Sequence, residues 1–181
     1  MRTVVLRVAG LALLLLLALF ATLTVRTLTR LPDVTLYMIR SEPTSFTLEP
    51  VYRRLRPQAP NATGHPSEAT VRAAIEALAV GPDPDEKGRG LGSEVPADTR
   101  VRAVRLDDGV LTLDLSVEFE AGGGTASMLG RLHQVHYTAV RPGGVEAVRL
   151  LVEGEPLEVL GGEGIMLEQP WYPPEQGLPR W

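Results

Sequence analysis

Two kinds of periodicity divide this chain. In "GVLTLDLSVEF" the side chains of Leu111, Leu113, Leu115, Val117 and Phe119 fall on one side of an extended chain, which predicts a strand with that face in the core. The preceding run "TRVRAVRL" alternates too, and Asp107-Asp108-Gly109 between the runs is a strong hairpin signal. Helical spacing takes over in "PSEATVRAAIEALAV", Pro66 to Val80. There Val71, Ala74, Ile75 and Leu78 share one arc, while Glu68, Arg72 and Glu76 follow at i, i+4 steps on the other side. Gly81 is placed to end that helix, and Pro82 stops any continuation. A second helix is predicted from Thr125 to Val140, after the flexible joint Gly122 to Gly124. Its apolar arc is Met128, Leu132, Val135 and Ala139, flanked by Leu129 and His136.

The outer segments complete the order. "VTLYMIR", Val34 to Arg40, is rich in β-branched and aromatic residues and reads as a strand, and "SFTLEPVYRRL" reads as an edge or irregular strand because of Pro50. Residues from about Arg56 to His65 are expected to form a surface loop. "VEAVRLLVEG" and "EPLEVL" predict a closing hairpin that turns near Gly154. From Gly161 onward the Gly/Pro-rich segment is expected to be extended or loosely docked. Apart from the irregular strand, the order is β-α-β-β-α-β. It predicts an α+β fold, an α/β sandwich with both helices on one face of a small mixed sheet.

The N-terminus changes this picture. Val8 to Val25 carries no charge and is bordered by Arg7 and Arg26. At ~1.5 Å per residue the run is about 27 Å long, close to the ~30 Å hydrocarbon core of a bilayer. The exit "FATLTVRTLTR" has no clean A-x-A site, so an uncleaved anchor is favoured over a cleaved signal peptide. Arg2 and Arg7 precede the run, and Arg26 and Arg30 after it are partly offset by Asp33. The charge balance predicts a single-pass protein of the cell membrane, with its N-terminus in the cytoplasm and its folded part outside. The chain then divides into an anchor over 1–30, a domain over 31–160 and a Gly/Pro/Trp-rich tail over 161–181.

Composition narrows the chemistry. The formal net charge of −4 and the single lysine, Lys87, give no basic surface for nucleic acid. The chain has no cysteine, which removes disulfides, thiolate metal sites and a cysteine nucleophile. His133 and His136 share a side of the second helix, but no further ligands accompany them, so a structural role outweighs a metal site. Asp114, Ser116 and His136 are the types needed for nucleophilic catalysis. No G-x-S-x-G surrounds the serine, and the alternation turns Asp114 and Ser116 away from the leucine core. Asp83, Asp85 and Glu86 lack the twelve-residue calcium-loop pattern and read as a solvated acidic loop.

"KGRGLGSEVP" places Gly88, Gly90 and Gly92 on alternate positions, as in loops that cradle phosphate. Such a loop leaves a strand and enters a helix. This one leaves a helix at Gly81-Pro82 and enters a strand near Arg100, so a nucleotide site is rejected. The longer stretch explains the glycines better. A helix ending at Leu78, Gly81 and Pro82 is followed by Gly90, Leu91, Ser93, Val95, Pro96 and Thr99, then by Leu113 to Ser116 at the end of the hairpin. This pattern closely resembles the GerMN domain of sporulation and spore germination proteins. "VTLYMIR" is similar to that family's opening strand, "HQVHYTAV" to its second helix with Gln134 and Thr138, and "VRLLVEGEPL" to its closing hairpin. Departures are Asp98 where the family tends to have glycine, Val95 for isoleucine, and a long loop from Arg56 to His65.

The resemblance covers about Val34 to Leu160. It implies a fold similar to ring-building modules of secretion systems and a scaffold or assembly role, with no catalytic, cofactor or metal residues. Gly81, Pro82, Gly90, Leu91, Ser93, Pro96, Asp114 and Ser116 are then structural family positions. Within the connector, Gly90 and Gly92 are expected to permit tight backbone, Leu91 to plug the core and Ser93 to bond the turn. The leading expectation is self-association or capture of envelope partners. A second is a wall or small-ligand binding module using Ser41 to His65 with Trp171, Tyr172 and Trp181, and a third is a hydrolase through Ser116 or His136.

Overall fold

The β-branched run near the start of the domain forms the strand that organises half of the molecule. In the computed structural model, which describes residues 33–42, 45–54, 68–140, 145–161 and 164–172, this is β1 (Asp33–Ser41). It pairs antiparallel with β2 (Phe46–Arg54) over its whole length and with the two-residue β3 (Leu91–Gly92) near its end. The apolar run Val8–Val25 and the loop from Arg56 to His65 lie outside the described residues. Among the described residues no helix is long and apolar enough to cross a membrane.

The alternating hairpin forms as its sequence predicts. β4 (Val101–Asp107) and β5 (Val110–Leu115) are joined by Asp108 and Gly109, whose φ values of +44° and +77° are those that favour an Asp-Gly turn. β6 (Ala147–Val152) pairs parallel to β5, and β7 (Glu155–Pro156) turns back on β6.

The helices obey their apolar arcs. α1 (Glu68–Val80) buries Val71, Ala74, Ile75 and Leu78, each leucine-sized burial stabilising by roughly 1.5–3 kcal/mol. It stops where Gly81, at φ +82°, donates its N–H to the carbonyls of Ala77 and Leu78. The second long helix, with short α2 (Pro84–Gly88) before it in the chain, is α3 (Thr125–Val140), bounded where the sequence places it.

Four expectations are corrected. The strands do not form one sheet with both helices on one face. They divide into β2-β1-β3, β4-β5-β6-β7 and a small pair β8 (Val159–Leu160) with β9 (Ile165–Met166). The free edge of β1 is taken by β3 and by α3, so β1 never reaches β5. α1 packs on β1 and β4, α3 packs on β1 and β6, and one apolar core is shared among them.

Val117 leaves the core face and is 55% exposed, because the strand stops at Leu115 and a 3-10 turn, Val117–Glu120, changes the period from two to three. Phe119 returns to the core. The stretch after Gly81 is not a plain acidic loop. Asp83 caps α2, its side chain accepting from the Glu86 N–H while Glu86 accepts from the Asp83 N–H, and Glu86 is buried against Arg53. Finally, the closing hairpin is short. Val159–Leu160 pairs with β9, not with β6.

Candidate functional site

The connector between α1 and β4 is held by arginines of the first sheet. Arg53 of β2 pairs with Glu86 and donates from Nη2 to the Gly81 carbonyl at 3.2 Å, fixing the end of α1 and the start of α2 together. Arg40 of β1 pairs with Glu49 and donates from Nη1 to the Arg89 carbonyl at 2.6 Å. Gly90, at φ +79°, then swings the chain so that Leu91 enters the core and Gly92 lies beside Ile39 on β1.

Helix α3 receives the other side of this connector through a row of polar residues, Arg131, Gln134 and Thr138, which are 2%, 0% and 0% exposed. Their spacing of three and four puts them on one helical face. Gln134 accepts the Glu94 N–H at 2.7 Å and donates to the Tyr37 carbonyl at 2.9 Å and to Ser93 Oγ at 3.4 Å. Thr138 Oγ1 accepts the Tyr37 N–H at 3.1 Å. Both backbone groups on the open side of Tyr37 are thereby used, and α3 closes the edge of β1 as a further strand would.

Arg131 performs the same task for the glycine joint. It donates from Nε to the Glu94 carbonyl at 2.9 Å, from Nη1 to the Phe119 carbonyl, and from Nη2 to the carbonyls of Ala121 and Gly122 at 3.1 Å each. Its guanidinium also stands 5.7 Å from the Phe119 ring centroid. Burial pushes its pKa down and the Glu94 carboxylate opposes this. The Glu94 carboxylate in turn accepts from Ser127 Oγ.

Above this network lies an open groove of about 470 Å³. Its walls are the end of α1 at Val80, Gly81 and Pro82, the connector around Ser93 and Pro96, and the joint at Gly122. The titratable side chains lining it are Glu94 and Arg131, and both are engaged as described. Val80 at its rim is 81% exposed. A second, apolar pocket of about 280 Å³ lies between Leu129 and Leu132 of α3 and the segment carrying Ile165, Leu167 and Trp171. Trp171 covers both helical histidines, with ring centroids 4.4 Å from His136 and 5.3 Å from His133. Burial pushes both imidazoles down to about 4.

Comparison with known proteins decides the family. The sequence model of the family Germane, described as sporulation and spore germination, matches residues 35–158. The chain belongs to the Germane family. No curated protein matches it. Among solved structures, the tandem GerMN domains of the sporulation protein GerM from Bacillus subtilis are similar at 23% identity and a TM-score of 0.63, over 81% of this chain and 46% of that one. The chain thus spans about half of the tandem structure's length. The first GerMN domain of the same protein is similar at 22% identity and a TM-score of 0.57, over 78% of this chain and 97% of that one. A putative lipoprotein from Clostridium perfringens is similar at 19% identity and a TM-score of 0.50, over 75% of this chain and 85% of that one. These likenesses agree with the mixed α+β fold.

In this Germane domain the residues singled out in the sequence occupy three places. Gly81, Pro82, Ser93 and Pro96 line the groove, and Gly90 and Leu91 sit beside it at β3. Asp114 and Ser116 lie apart, on the second sheet. Asp114 accepts from Arg102 Nε at 3.2 Å and from the Gly154 N–H at 2.9 Å, joining β4 to the β6–β7 turn. Ser116 is 8% exposed because it is held where the strand ends: its Oγ accepts the Arg100 N–H at 2.9 Å and its N–H returns to the Arg100 carbonyl. Neither ring nitrogen of His136 has a hydrogen-bond partner, so the nucleophile-and-base contact a hydrolase needs is not formed with Ser116. Among the described residues no group of three His, Asp or Glu side chains is placed to hold a metal ion. Residue spacing alone missed Arg131. Its signal was available, a polar position spaced with Gln134 and Thr138 along a helix whose neighbouring arc is apolar.

Proposed function

We propose that this Germane domain is a non-enzymatic association module of the cell envelope. In this reading Val8–Val25 anchors it in the cytoplasmic membrane, the N-terminus is cytoplasmic, and the folded domain works outside as an assembly or scaffold component in a sporulation-related or other envelope process. The observation that supports it most is how the family positions are employed. Gly81, Gly90, Ser93, Asp114 and Ser116 end helices, shape the connector and join strands, and the two charges in the groove are already paired with protein groups. A module so built offers surface rather than reactive groups, as the resemblance to ring-building modules also suggests.

The test is co-isolation from membranes of two differently tagged copies, together with protease access to the domain from the outer side. Co-isolated copies with an externally cleaved domain are the expected result. A chain that stays single at high membrane density and captures no other envelope protein would sink the proposal.

One observation favours a second reading, a small-ligand or wall-binding module. The 280 Å³ pocket under Trp171 is apolar, and Tyr172 beside it is 61% exposed. Retention of the full chain on purified wall material, lost with Trp171→Ala, is the result that reading requires.

A further inference from the structure

The sheet edges of this domain are closed in two different ways. On β1, Gln134 and Thr138 of α3 occupy the edge. Since Tyr37 turns its backbone groups toward α3, its β2 partner Pro50 has its nitrogen on the outer side of the sheet, where no N–H is available to a new strand. On β4, Arg72 of α1 takes the carbonyls of Val101 and Arg102. These closures come from residues of β2, α1 and α3, within the body of the domain.

On β6, β7 covers Leu151 and Val152, and the rest of the edge is closed by a segment from further along the chain. Trp171 exchanges two backbone hydrogen bonds with Val148, at 2.8 and 2.9 Å. Gln169 imitates a strand with its side chain, accepting the Leu150 N–H at 2.7 Å and donating to the Leu150 carbonyl at 3.0 Å and to the Leu157 carbonyl. Ile165, Leu167 and Trp171 pack their side chains on the core. This segment leaves the domain through a turn bounded by Gly161 and Gly164, at φ +79° and +36°, where the Gly164 N–H meets the Gly161 carbonyl at 3.2 Å. A Cβ on Gly164 would run into the Val159 side chain in that closed turn.

We propose that the β6 edge is an assembly surface whose second occupant is the 165–172 segment of another copy of this chain, exchanged for the chain's own. The idea rests on the self-association reading above and gives it a site. Every contact of the segment is remade on exchange, so local concentration and the conformation of the turn decide between the two forms. Anchoring in a membrane plane raises that concentration. The glycines adopt the left-handed backbone of the closed turn without cost, whereas an alanine at 164 would not and its Cβ would meet Val159, so Gly164→Ala penalises the closed form.

The chain has no cysteine, which makes the test direct. Arg149 and Tyr172 are exposed and flank the Val148–Trp171 bridge. Full-length chains carrying Arg149→Cys or Tyr172→Cys, with different tags, are expressed together in membranes and treated with a short bis-maleimide. The expected result is a link between the two chains, increased severalfold by Gly164→Ala and lost with Gln169→Ala plus Trp171→Ala. A link that forms only when both cysteines are in one chain would overturn exchange. Tag co-isolation in the same membranes separates the failures. Copies that co-isolate without the link retain self-association and reject this surface, whereas copies that neither co-isolate nor link reject both.

Discussion

Helix α3 carries two buried polar clusters on neighbouring faces, and they are handled in opposite ways. Arg131, Gln134 and Thr138 face the connector and β1, where backbone donors and acceptors meet them one for one. His136, only 1% exposed, faces Trp171, and its two nitrogens have no hydrogen-bond partner. Depth is therefore not what separates them. The first cluster replaces missing strand and loop partners, so its value lies in bonds that water cannot supply at that depth. The second packs as a flat apolar body, and its polar atoms become important only when they bind a proton. A buried polar residue is an anchor in one case and a weakness in the other, on adjoining turns of one helix.

The contrast breaks most sharply at Arg131. Arg131→Ala leaves the carbonyls of Phe119, Ala121 and Gly122 without their donor and removes a charge from beside Glu94. A loss of about 3–5 kcal/mol is expected, as when one member of a buried charged network is removed. Denaturant unfolding of the full chain in detergent measures it. Gln134→Ala comes next, at about 2–4 kcal/mol, since the Glu94 N–H and the Tyr37 carbonyl both lose a partner. If Gln134→Ala costs no more than a surface substitution, Gln134 is not what seals the β1 edge, and the same result for Arg131→Ala would mean that Arg131 is not what holds the glycine joint.

What could be read in advance follows the same line between repeated patterns and single contacts. α3 was legible from Thr125 to Val140 because an apolar arc repeats over four turns between glycine-rich and proline-containing borders. β5 was legible for as long as its alternation held, and the reading failed at Val117, where a 3-10 turn begins. α2 escaped because its span, Pro84–Gly88, is too short for periodicity, although Asp83, Pro84 and Glu86 spell a capping box with proline at the first turn. The division into separate sheets was not legible at all. Strand order along a chain does not state which edges meet, and here Tyr37 was claimed by helix side chains instead of by another strand. The groove was partly legible. Its glycines and prolines came through the family pattern, while Arg131 stood unremarked within the helix.

The histidine face sharpens the comparison through pH. Burial holds His136 at about 4 in the folded domain, against about 6.5 when exposed in the unfolded chain. Between those values the unfolded chain binds more protons, so the stabilising contribution is complete above about pH 6.5 and is lost as pH falls toward 4. His136→Phe keeps the contact with Trp171 and removes the proton site. The variant is expected to flatten the decline from pH 7 to pH 4.5 by about 1–3 kcal/mol, with little change at pH 7. An unaltered slope would mean that the declining stability comes from elsewhere.

The smallest expected effect lies on the other sheet and bears on catalysis as well as stability. Ser116 resembles the α3 anchors in miniature, a hydroxyl that accepts one backbone N–H, that of Arg100, at the point where β5 ends and β4 begins. Ser116→Ala should cost about 1 kcal/mol, the ordinary value of a part-buried hydrogen bond whose donor is left near solvent. Ser116→Thr restores the oxygen but adds a methyl group where the residue is 8% exposed, so its recovery depends on the room beside the 3-10 turn. Both variants should leave self-association unchanged, because Ser116 bonds within the hairpin and not at the β6 edge. A hydrolytic activity that disappeared with Ser116→Ala while folding and co-isolation persisted would contradict the structural role and revive the serine as a nucleophile.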